Sequence, residues 1–251
     1  ERRDLGDFAI LYRTNAQSRV LEEACMSHGL PYRIVGGFKF YERKEVKDIV
    51  SYLRVIQNPD EDLSLKRIIN IPKRGIGNAA LDALTQYAAS KADSLFSALL
   101  EVDNISRVSP KAKKGIKEFV SIMSELMGMA ETERVSKLVK EVLERTGYLS
   151  ELEKDGDEES QTRAENIKEL LSATLEFEEL NESAVLTDFL EQIALMSDID
   201  TLEDGKSALV MMTLHSAKGL EYPFVFISGM EEGVFPSQRS YFEDNRMEEE
   251  R

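Results

Sequence analysis

The arrangement that most constrains the fold is a pair of strand-like segments near each end of the chain, with a long helical stretch between the pairs. Residues 8–12 and 32–35 are short, mostly apolar runs, and apolar side chains recur at helical spacing between them. Residues 208–213 and 224–228 form a second such pair. Short apolar strands that alternate with helices are typical of a parallel sheet buried on both faces. The two ends of the chain therefore predict one α/β domain.

The middle of the chain has a different pattern. Between about residues 40 and 200, apolar residues recur every three or four positions, which is typical of amphipathic helices. The simplest architecture is a discontinuous α/β domain, residues 1–36 and 205–251, with a mostly α-helical domain, residues 37–204, inserted between its strands. The acidic stretch 151–159 predicts a solvated loop that joins two helices.

The negative charge of the chain is concentrated in one segment. The formal net charge is −15, which by itself argues against nucleic acid because phosphate binding needs local positive charge. Residues 151–205 hold 18 acidic and 3 basic residues, so the remaining residues carry 29 of each sign and sum to zero. The rest of the chain can therefore still present a basic face.

Several classes of protein are disfavoured. Cys25 is the only cysteine, so there is no disulfide framework and no thiolate metal site, and a reducing, cytoplasmic compartment is expected. No apolar stretch approaches the roughly 20 residues of a membrane span, and no membrane partner is expected. No paired Cys/His spacing indicates a metal. The chain opens without Met and stops inside a charged run, which we interpret as a fragment of a longer polypeptide.

The first candidate site is TLHSAKGLE, residues 213–221, which follows a predicted strand. A phosphate-binding P-loop requires G-x-x-x-x-G-K-[ST], and no glycine–lysine pair in this chain has a glycine five positions before it. Thr213, His215 and Ser216 nevertheless follow the carboxyl end of a strand, where open α/β sheets usually bind ligands. From spacing alone, a structural turn and a binding site are equally compatible with this stretch.

The second candidate site is IPKRGIGN, residues 71–78. Its two glycines allow the backbone to approach a partner closely, and Asn78 is placed to cap the helix that follows. The two basic side chains add positive charge beside the N–H groups of that helix start, which suits a DNA phosphate. The alternative is a helix-to-helix turn with incidental basic residues. The candidate residues are Lys73, Arg74, Gly75, Ile76 and Gly77.

A third candidate is YRTNAQSR, residues 12–19, again at the end of a strand and the start of a helix. Arg13, Asn15 and Arg19 could hold backbone phosphates. Equally, Asn15 could be only a helix cap, and Arg19 could be a solvated helix residue. A group of four lysines at a later helix start is interpreted as a solvated face; it comprises Lys111, Lys113, Lys114 and Lys117.

Taken together, these stretches resemble the UvrD/PcrA/Rep type of superfamily 1 DNA helicases, and within it the PcrA subgroup most. The matching segments are FAILYRTNAQSRVLEE, PYRIVGGFKFYERKEVKDIVSYLRVI, IINIPKRGIG, VMMTLHSAKGLEYPFVFISGMEEGVFPSQ and RMEEER. They occur in the family's order and spacing from residue 8 to the end, which is far more specific than any single match. Residues 80–205 carry few matching motifs.

The resemblance implies a fold and an activity. The split α/β part resembles the second of two RecA-like motor domains of the P-loop NTPase type, and the helical insertion resembles the accessory domain that it carries. Helicases of this type use ATP with Mg²⁺ to travel 3′ to 5′ on single-stranded DNA and unwind duplex DNA in repair or plasmid replication. The implied partners are single-stranded and duplex DNA, the remaining helicase domains, and repair or replication-initiator proteins.

The resemblance also assigns roles to individual residues. Glu221 would bind the ribose hydroxyls of ATP, and Lys218 with Gly219 would form the turn that couples ATP to DNA. The segment from Lys73 to Gly77 would hold the duplex ahead of the fork. Gly36 and Gly37 occupy the expected place of a hinge between the motor and accessory domains. The implied contacts to single-stranded DNA are Thr213, His215, Ser216, Arg13 and Asn15.

The resemblance further implies that part of the ATP site lies elsewhere. The family's Walker A lysine, its Asp–Glu metal box and its Tyr–Arg pair would precede residue 1, and its sixth motif would begin just after Arg251. No catalytic residue or metal ligand is therefore expected inside the chain, which alone should not hydrolyse ATP. Two alternatives stay open: a non-enzymatic interaction or regulatory module whose helical region docks a protein, and a subunit of a helicase–nuclease.

Overall fold

The structure is a computed structural model that describes residues 3–181, 183, 185–198 and 207–235. The predicted domain start at residue 205 and the closing segment RMEEER (246–251) lie outside the described residues. Within the described part, the chain divides into two compact units, residues 1–43 with 195–251, and residues 44–194. Each unit is described by itself below.

The first unit contains a four-stranded, fully parallel sheet, as the apolar runs predict. Its strands are β1 (Phe8–Tyr12), β2 (Tyr32–Ile34), β3 (Leu209–Thr213) and β4 (Phe224–Ile227). Their order across the sheet is β2-β3-β1-β4, so strands from the two ends of the chain pair directly. In that pairing Ala9 lies opposite Val210 and Tyr12 opposite Thr213. The α/β domain is therefore discontinuous in sequence, with β1 and β3 at its centre.

The two faces of this sheet carry separate apolar clusters, as expected when successive side chains point to opposite faces. One cluster contains Tyr12, Cys25, Tyr32, Leu209 and Met211, and the other contains Ala9, Leu11, Val210 and Met212. Helix α1 (Ser18–Ser27) contributes Cys25 to the first cluster. Both faces of the central strands are thus covered, which explains why nearly all of their residues are apolar.

The second unit is helical. Its elements are α2 (Lys44–Gln57), α3 (Asp62–Ile68), α4 (Asn78–Lys91), α5 (Leu95–Leu100), α6 (Pro110–Ala130), α7 (Val135–Thr146), α8 (Tyr148–Asp155), α9 (Glu158–Leu180) and α10 (Leu186–Asp198), of which the last runs past residue 194 into the first unit. The described part of the region predicted to be helical consists mostly of helices joined by short turns. Helix α2 ends at Gln57, just before Asn58–Pro59, because proline disfavours helical backbone in the residue that precedes it. The α/β fold with a helical insertion is thereby confirmed.

The prediction of a solvated loop at residues 151–159 was wrong. Helix α8 continues to Asp155, the turn is confined to Gly156 and Asp157, and α9 begins at Glu158. Tyr148 and Leu152, one helical turn apart, are buried, and the Tyr148 hydroxyl donates a 2.8 Å hydrogen bond to the buried carboxylate of Asp48. These two buried residues anchor a short helix in which Ser150, Glu151, Glu153 and Lys154 are exposed.

No helix within the described ranges is long and apolar enough to cross a membrane. Among the same residues, no three or more His, Cys, Asp or Glu side chains are grouped so that they could hold a metal ion.

Candidate nucleic-acid interface

All four strands of the first unit are parallel, so the segments that follow them meet at one edge of the sheet. β1 leads into Arg13, β3 leads into the loop 214–221, and β2 leads into Gly36. The Leu214 N–H donates to the Tyr12 carbonyl at 2.9 Å, which continues the pairing of β1 and β3 into the two loops. Two of the candidate stretches are thereby brought side by side. Arg13 belongs to one and His215 to the other, although they are 202 residues apart in the sequence.

Arg13 and His215 lie within contact distance at this edge. The guanidinium Nη1 of Arg13 is 3.5 Å from Nδ1 of the exposed His215 ring. Both side chains can donate hydrogen bonds to an anion, since the guanidinium is always charged and the other imidazole nitrogen is free to carry a proton. The pair therefore provides neighbouring donors from two different strands.

The loop that contains Thr213 and Ser216 is tightly turned. The Ser216 N–H donates to Thr213 Oγ1 at 3.2 Å, the two hydroxyl oxygens are 2.9 Å apart, and the Ala217 N–H donates to the Thr213 carbonyl at 3.1 Å. Hydroxyl groups of this kind stabilise turns by bonding nearby backbone N–H groups. After this turn, Lys218, Gly219 and Glu221 are exposed, and Gly219 has a positive φ of 86°.

Gly36 contacts this same loop. Its φ is +76°, a left-handed conformation that favours glycine, and a Cβ at this position would lie 2.8 Å from Ser216 Oγ. A Cβ at Gly37 would lie 3.7 Å from Asn15 Oδ1. Gly36 therefore lets the segment after β2 approach the loop that contains Ser216 closely, and Gly37 lies beside Asn15 at an ordinary contact distance. Their role as a hinge stays a prediction.

Gln17 is a residue of this edge that the sequence analysis missed. Its Oε1 accepts 2.9 Å hydrogen bonds from the backbone N–H groups of both Arg13 and Thr14. A Cβ at Gly229, which follows β4 and has a φ of +74°, would lie only 2.1 Å from Gln17 Nε2. Gln17 thus packs between two loops. The available signal was the Thr14–Gln17 spacing, which is that of a helix capping box.

The structure also tests the two structural alternatives to a phosphate contact, in which Asn15 is a helix cap and Arg19 a solvated helix residue. Asn15 is the first residue of a short 3₁₀ turn and Thr14 occupies the cap, so the interpretation of Asn15 as a cap was wrong. Arg19 is only 2% exposed, and its guanidinium pairs with Glu23 at 2.9 Å. Arg19 is therefore not a solvated helix residue.

A buried polar cluster fixes the segment after the glycines to α1. The Glu22 carboxylate accepts from Ser18 Oγ at 2.5 Å and from the Phe40 N–H at 3.2 and 3.1 Å, and Arg43 Nη2 donates to Ser18 Oγ at 2.5 Å. Burial raises the pKa of Glu22, although these hydrogen bonds and the nearby Arg43 act in the opposite direction. Residues 40–43 are thereby held against α1.

The basic loop of the second unit, residues 70–77, is organised by Asn70, which the sequence analysis also missed. Its Oδ1 accepts from the N–H groups of Arg74 at 2.8 Å and of Ile76 at 3.1 Å. Ile76 is buried, while Lys73, Gly75 and Gly77 are exposed. Asn70 therefore shapes the loop so that its glycines and lysine face solvent.

Arg74 makes contacts within the protein. Its guanidinium donates to the carbonyls of Ile68, Ile69 and Pro72 at 3.1–3.4 Å and to the Tyr52 hydroxyl at 2.8 Å. It also lies 5.2 Å from the centre of the Phe119 ring. Tyr52 is fully buried, and burial raises its pKa to about 12. Through these groups Arg74 fastens the loop to α2 and α6.

Helix α6 also supports the loop by close backbone approach. A Cβ at Gly115 would lie 2.2 Å from the Arg74 carbonyl oxygen, so only glycine fits there. One turn earlier, the Lys111 side chain lies against Gly75, whose added Cβ would be 3.1 Å from Lys111 Cε. The other three lysines of this helix start are engaged: Lys113 and Lys117 bond Asp103, and Lys114 lies 3.8 Å from Glu118.

The helix after this loop starts differently from the prediction. The cap of α4 is Gly77, without any side-chain hydrogen bond, and Asn78 is the first helical residue. The expectation that Asn78 caps the helix was therefore wrong. Since no side chain caps this end and only the Ala80 N–H of the first three bonds the Gly77 carbonyl, the N–H groups of Asn78 and Ala79 have no partner within the helix.

Replacing Asn70 by alanine is expected to destabilise the chain by about 1–3 kcal/mol, because the N–H groups of Arg74 and Ile76 lose their acceptor. Asn70→Asp retains an oxygen acceptor and should lose much less. The free energies of unfolding of the two variants, measured in urea, test this role. Equal losses in both would contradict it.

Comparison with known proteins identifies the group to which the chain belongs. The family model described as UvrD-like helicase C-terminal domain matches residues 1–251. The chain belongs to this family. Three curated relatives share the printed name ATP-dependent DNA helicase PcrA: that of Bacillus subtilis (strain 168) is 48% identical, that of Staphylococcus epidermidis RP62A 47%, and that of Staphylococcus aureus Mu50 46%. The alignments cover 100%, 98% and 98% of this chain but 34% of each relative, so the chain spans about a third of their length.

Membership in the UvrD-like C-terminal domain family confirms the resemblance drawn from the sequence, including its likeness to PcrA. The roles of the individual residues stay predictions. The structure brings Arg13, His215, Thr213 and Ser216 together at one edge of the sheet, with Asn15 next to Gly37. The residues of the loop 73–77 belong to the other unit.

Proposed function

We propose that the chain is part of an ATP-dependent DNA helicase that moves 3′ to 5′ along single-stranded DNA and unwinds duplex DNA in repair or plasmid replication. The family and the printed names of the relatives support the helicase assignment. The observation that best supports a DNA contact is that Arg13 and His215, which follow strands β1 and β3, lie next to each other at the carboxyl edge of the parallel sheet.

In this proposal the carboxyl edge of the sheet grips the backbone of a single strand. Arg13 and His215 donate to phosphate oxygens, and Asn15 contributes an amide beside them. The Thr213 and Ser216 hydroxyls hold the loop in its turn and add further donors. Contacts to phosphate and sugar carry no sequence information, which suits a motor that must move along any sequence.

ATP enters the proposal through Glu221. Its carboxylate is exposed and can accept hydrogen bonds from the ribose hydroxyls of a nucleotide, as a carboxylate does in other nucleotide-binding folds. As the family resemblance implies, the ligands of Mg²⁺ would come from outside this chain. ATP hydrolysis would supply the free energy for movement. Lys218 and Gly219 would transmit changes at Glu221 to the DNA-binding part of the same loop.

Duplex DNA is assigned to the basic loop of the second unit. Lys73, together with the open N–H groups after Gly77, would hold a backbone phosphate, and the exposed Gly75 and Gly77 let the backbone approach it. Arg74, whose guanidinium bonds the protein, would act by holding the loop in shape.

Reversing the charge of Lys73 tests the duplex assignment. The variant Lys73→Glu is expected to bind duplex DNA about tenfold more weakly, and the slope of log affinity against log salt concentration should become shallower by about 1, because one phosphate contact is lost. Fluorescence anisotropy with a labelled duplex at several salt concentrations measures both quantities.

A matched control separates this local effect from the change in net charge. Lys140→Glu makes the same charge change at an exposed position of α7 and should leave duplex affinity nearly unchanged. If Lys73→Glu and Lys140→Glu have the same small effect, the duplex assignment is wrong. That outcome would favour the alternative of a non-enzymatic interaction module.

A further inference from the structure

Phe38 is an exposed aromatic residue that none of the assigned roles explains. It is 72% exposed, more than any other phenylalanine in the described part of the chain; the next exposed one is Phe226, at 57%. A phenyl ring left in water forgoes the stabilisation that burial of its apolar surface would give. Single exposed apolar residues are common on protein surfaces, so exposure alone carries no conclusion. Phe38 differs from such residues in its surroundings, namely an anchored segment of backbone and neighbouring phosphate donors.

The backbone on both sides of Phe38 is fixed. On one side, Gly36 and Gly37 lie against the loops that contain Ser216 and Asn15. On the other side, Phe40 is fully buried and its N–H donates to the Glu22 carboxylate. The Phe38 carbonyl itself accepts from Arg43 Nε at 3.4 Å. The ring is therefore presented to solvent from an anchored segment, so little conformational entropy would be lost when it binds a partner.

The location of Phe38 indicates the kind of partner. Gly37 lies next to Asn15, and Gly36 lies next to Ser216. Phe38 is the next residue of the chain, and because consecutive Cα atoms are only about 3.8 Å apart, its Cα is close to both loops. The neighbouring Arg13 and His215 supply donors for phosphate. Side-chain donors to the phosphate backbone, combined with an adjacent exposed aromatic ring, are an arrangement by which proteins bind single-stranded nucleic acid, because the bases of a single strand are free to stack.

We propose that Phe38 stacks on one base of the single strand whose phosphates are held at the carboxyl edge of the sheet. This proposal rests on the proposed function, since it places a base next to the backbone contacts assigned there. The stack is independent of sequence, because every base offers an aromatic face. It gives the grip an apolar component that does not respond to salt.

The first test measures affinity. Phe38→Ala is expected to weaken binding of the 251-residue chain to a labelled oligothymidylate by about 5- to 150-fold, the loss of one stack of about 1–3 kcal/mol. The slope of log affinity against log salt should stay unchanged, because no phosphate contact is removed. By contrast, Arg13→Ala should make that slope shallower by about 0.7. Phe226→Ala, the same change on strand β4, should leave affinity unchanged.

The second test observes the stack directly. The chain contains no tryptophan, so Phe38→Trp introduces a single indole whose fluorescence should be quenched when oligothymidylate is added. Phe226→Trp places the control indole on β4 and should show no quenching. Thermal unfolding followed by circular dichroism verifies that each variant is folded.

The outcomes separate this inference from the proposed function. If the unmodified chain does not bind oligothymidylate, the single-strand grip is wrong and the stack with it. If the unmodified chain binds, but Phe38→Ala binds equally well and the indole at residue 38 is not quenched, only the stack is wrong. Weaker binding of Phe38→Ala at an unchanged salt slope, together with quenching, supports it.

Discussion

Replacing Gly115 by alanine is expected to destabilise the helical unit by about 1–3 kcal/mol, although the substitution adds a residue of higher helix propensity. The added Cβ would lie 2.2 Å from the carbonyl oxygen of Arg74. That oxygen belongs to the backbone of the basic loop, so it can move only if the loop moves. The neighbouring Arg74 N–H is held by Asn70, and the Arg74 guanidinium by Tyr52 and three carbonyls.

The same helix provides a matched control. Gly128 also lies in α6, is exposed, and has no atom within 4 Å of the position of its Cβ. Gly128→Ala should therefore stabilise the chain by about 0.5–1 kcal/mol, the ordinary gain for glycine to alanine inside a helix. The two variants thus change stability in opposite directions with one identical chemical change.

Urea unfolding of the two variants measures the difference. We expect the midpoint of Gly115→Ala to fall and that of Gly128→Ala to rise relative to the unmodified chain. Gly115→Ala should also weaken duplex binding under conditions in which it is still folded, because the loop that carries Lys73 is displaced. Equal stabilisation by both substitutions would contradict the close approach of α6 to the loop.

The sequence predicted the elements of this fold where a single physical signal was strong. The strands that contain Ala9 and Val210 are apolar at nearly every position because both faces of the sheet are covered. Helices α6 and α7 have an apolar residue at nearly every turn. Helix α8 was missed because its buried residues are few, Tyr148 and Leu152, while the charged residues Glu151, Glu153, Lys154 and Asp155 gave the sequence the pattern of a solvated loop.

The sequence predicted the residues of the candidate sites from their residue types, but it could not predict which groups they contact. Arg74 and Lys73 are adjacent basic residues with the same appearance in the sequence. Only the folded chain places the Arg74 guanidinium among carbonyls while Lys73 stays exposed. Gln17 and Gly115 were missed for the same reason: their importance comes from contacts with Gly229 and Arg74, which no local pattern records.

Gly36→Ala is expected to weaken binding to single-stranded DNA by about tenfold. At this position alanine would adopt a φ of +76°, and its Cβ would lie 2.8 Å from Ser216 Oγ and 3.2 Å from Ser216 Cβ. Ser216 is held in its turn by Thr213, so its displacement disturbs the loop that carries His215. The loss corresponds to one or two hydrogen bonds, together about 1.4 kcal/mol.

Gly29→Ala separates this contact from backbone strain. Gly29 also has a positive φ, +63°, but no atom lies within 4 Å of the position of its Cβ. Both variants should lose about 1–2 kcal/mol of stability, the cost of a left-handed conformation for a residue with a Cβ. Only Gly36→Ala should also lose affinity for oligothymidylate, measured by anisotropy at a temperature at which both variants are folded. If the two variants bind equally well, the segment after β2 does not position the Ser216 loop, and the paired glycines matter only for the path of the backbone.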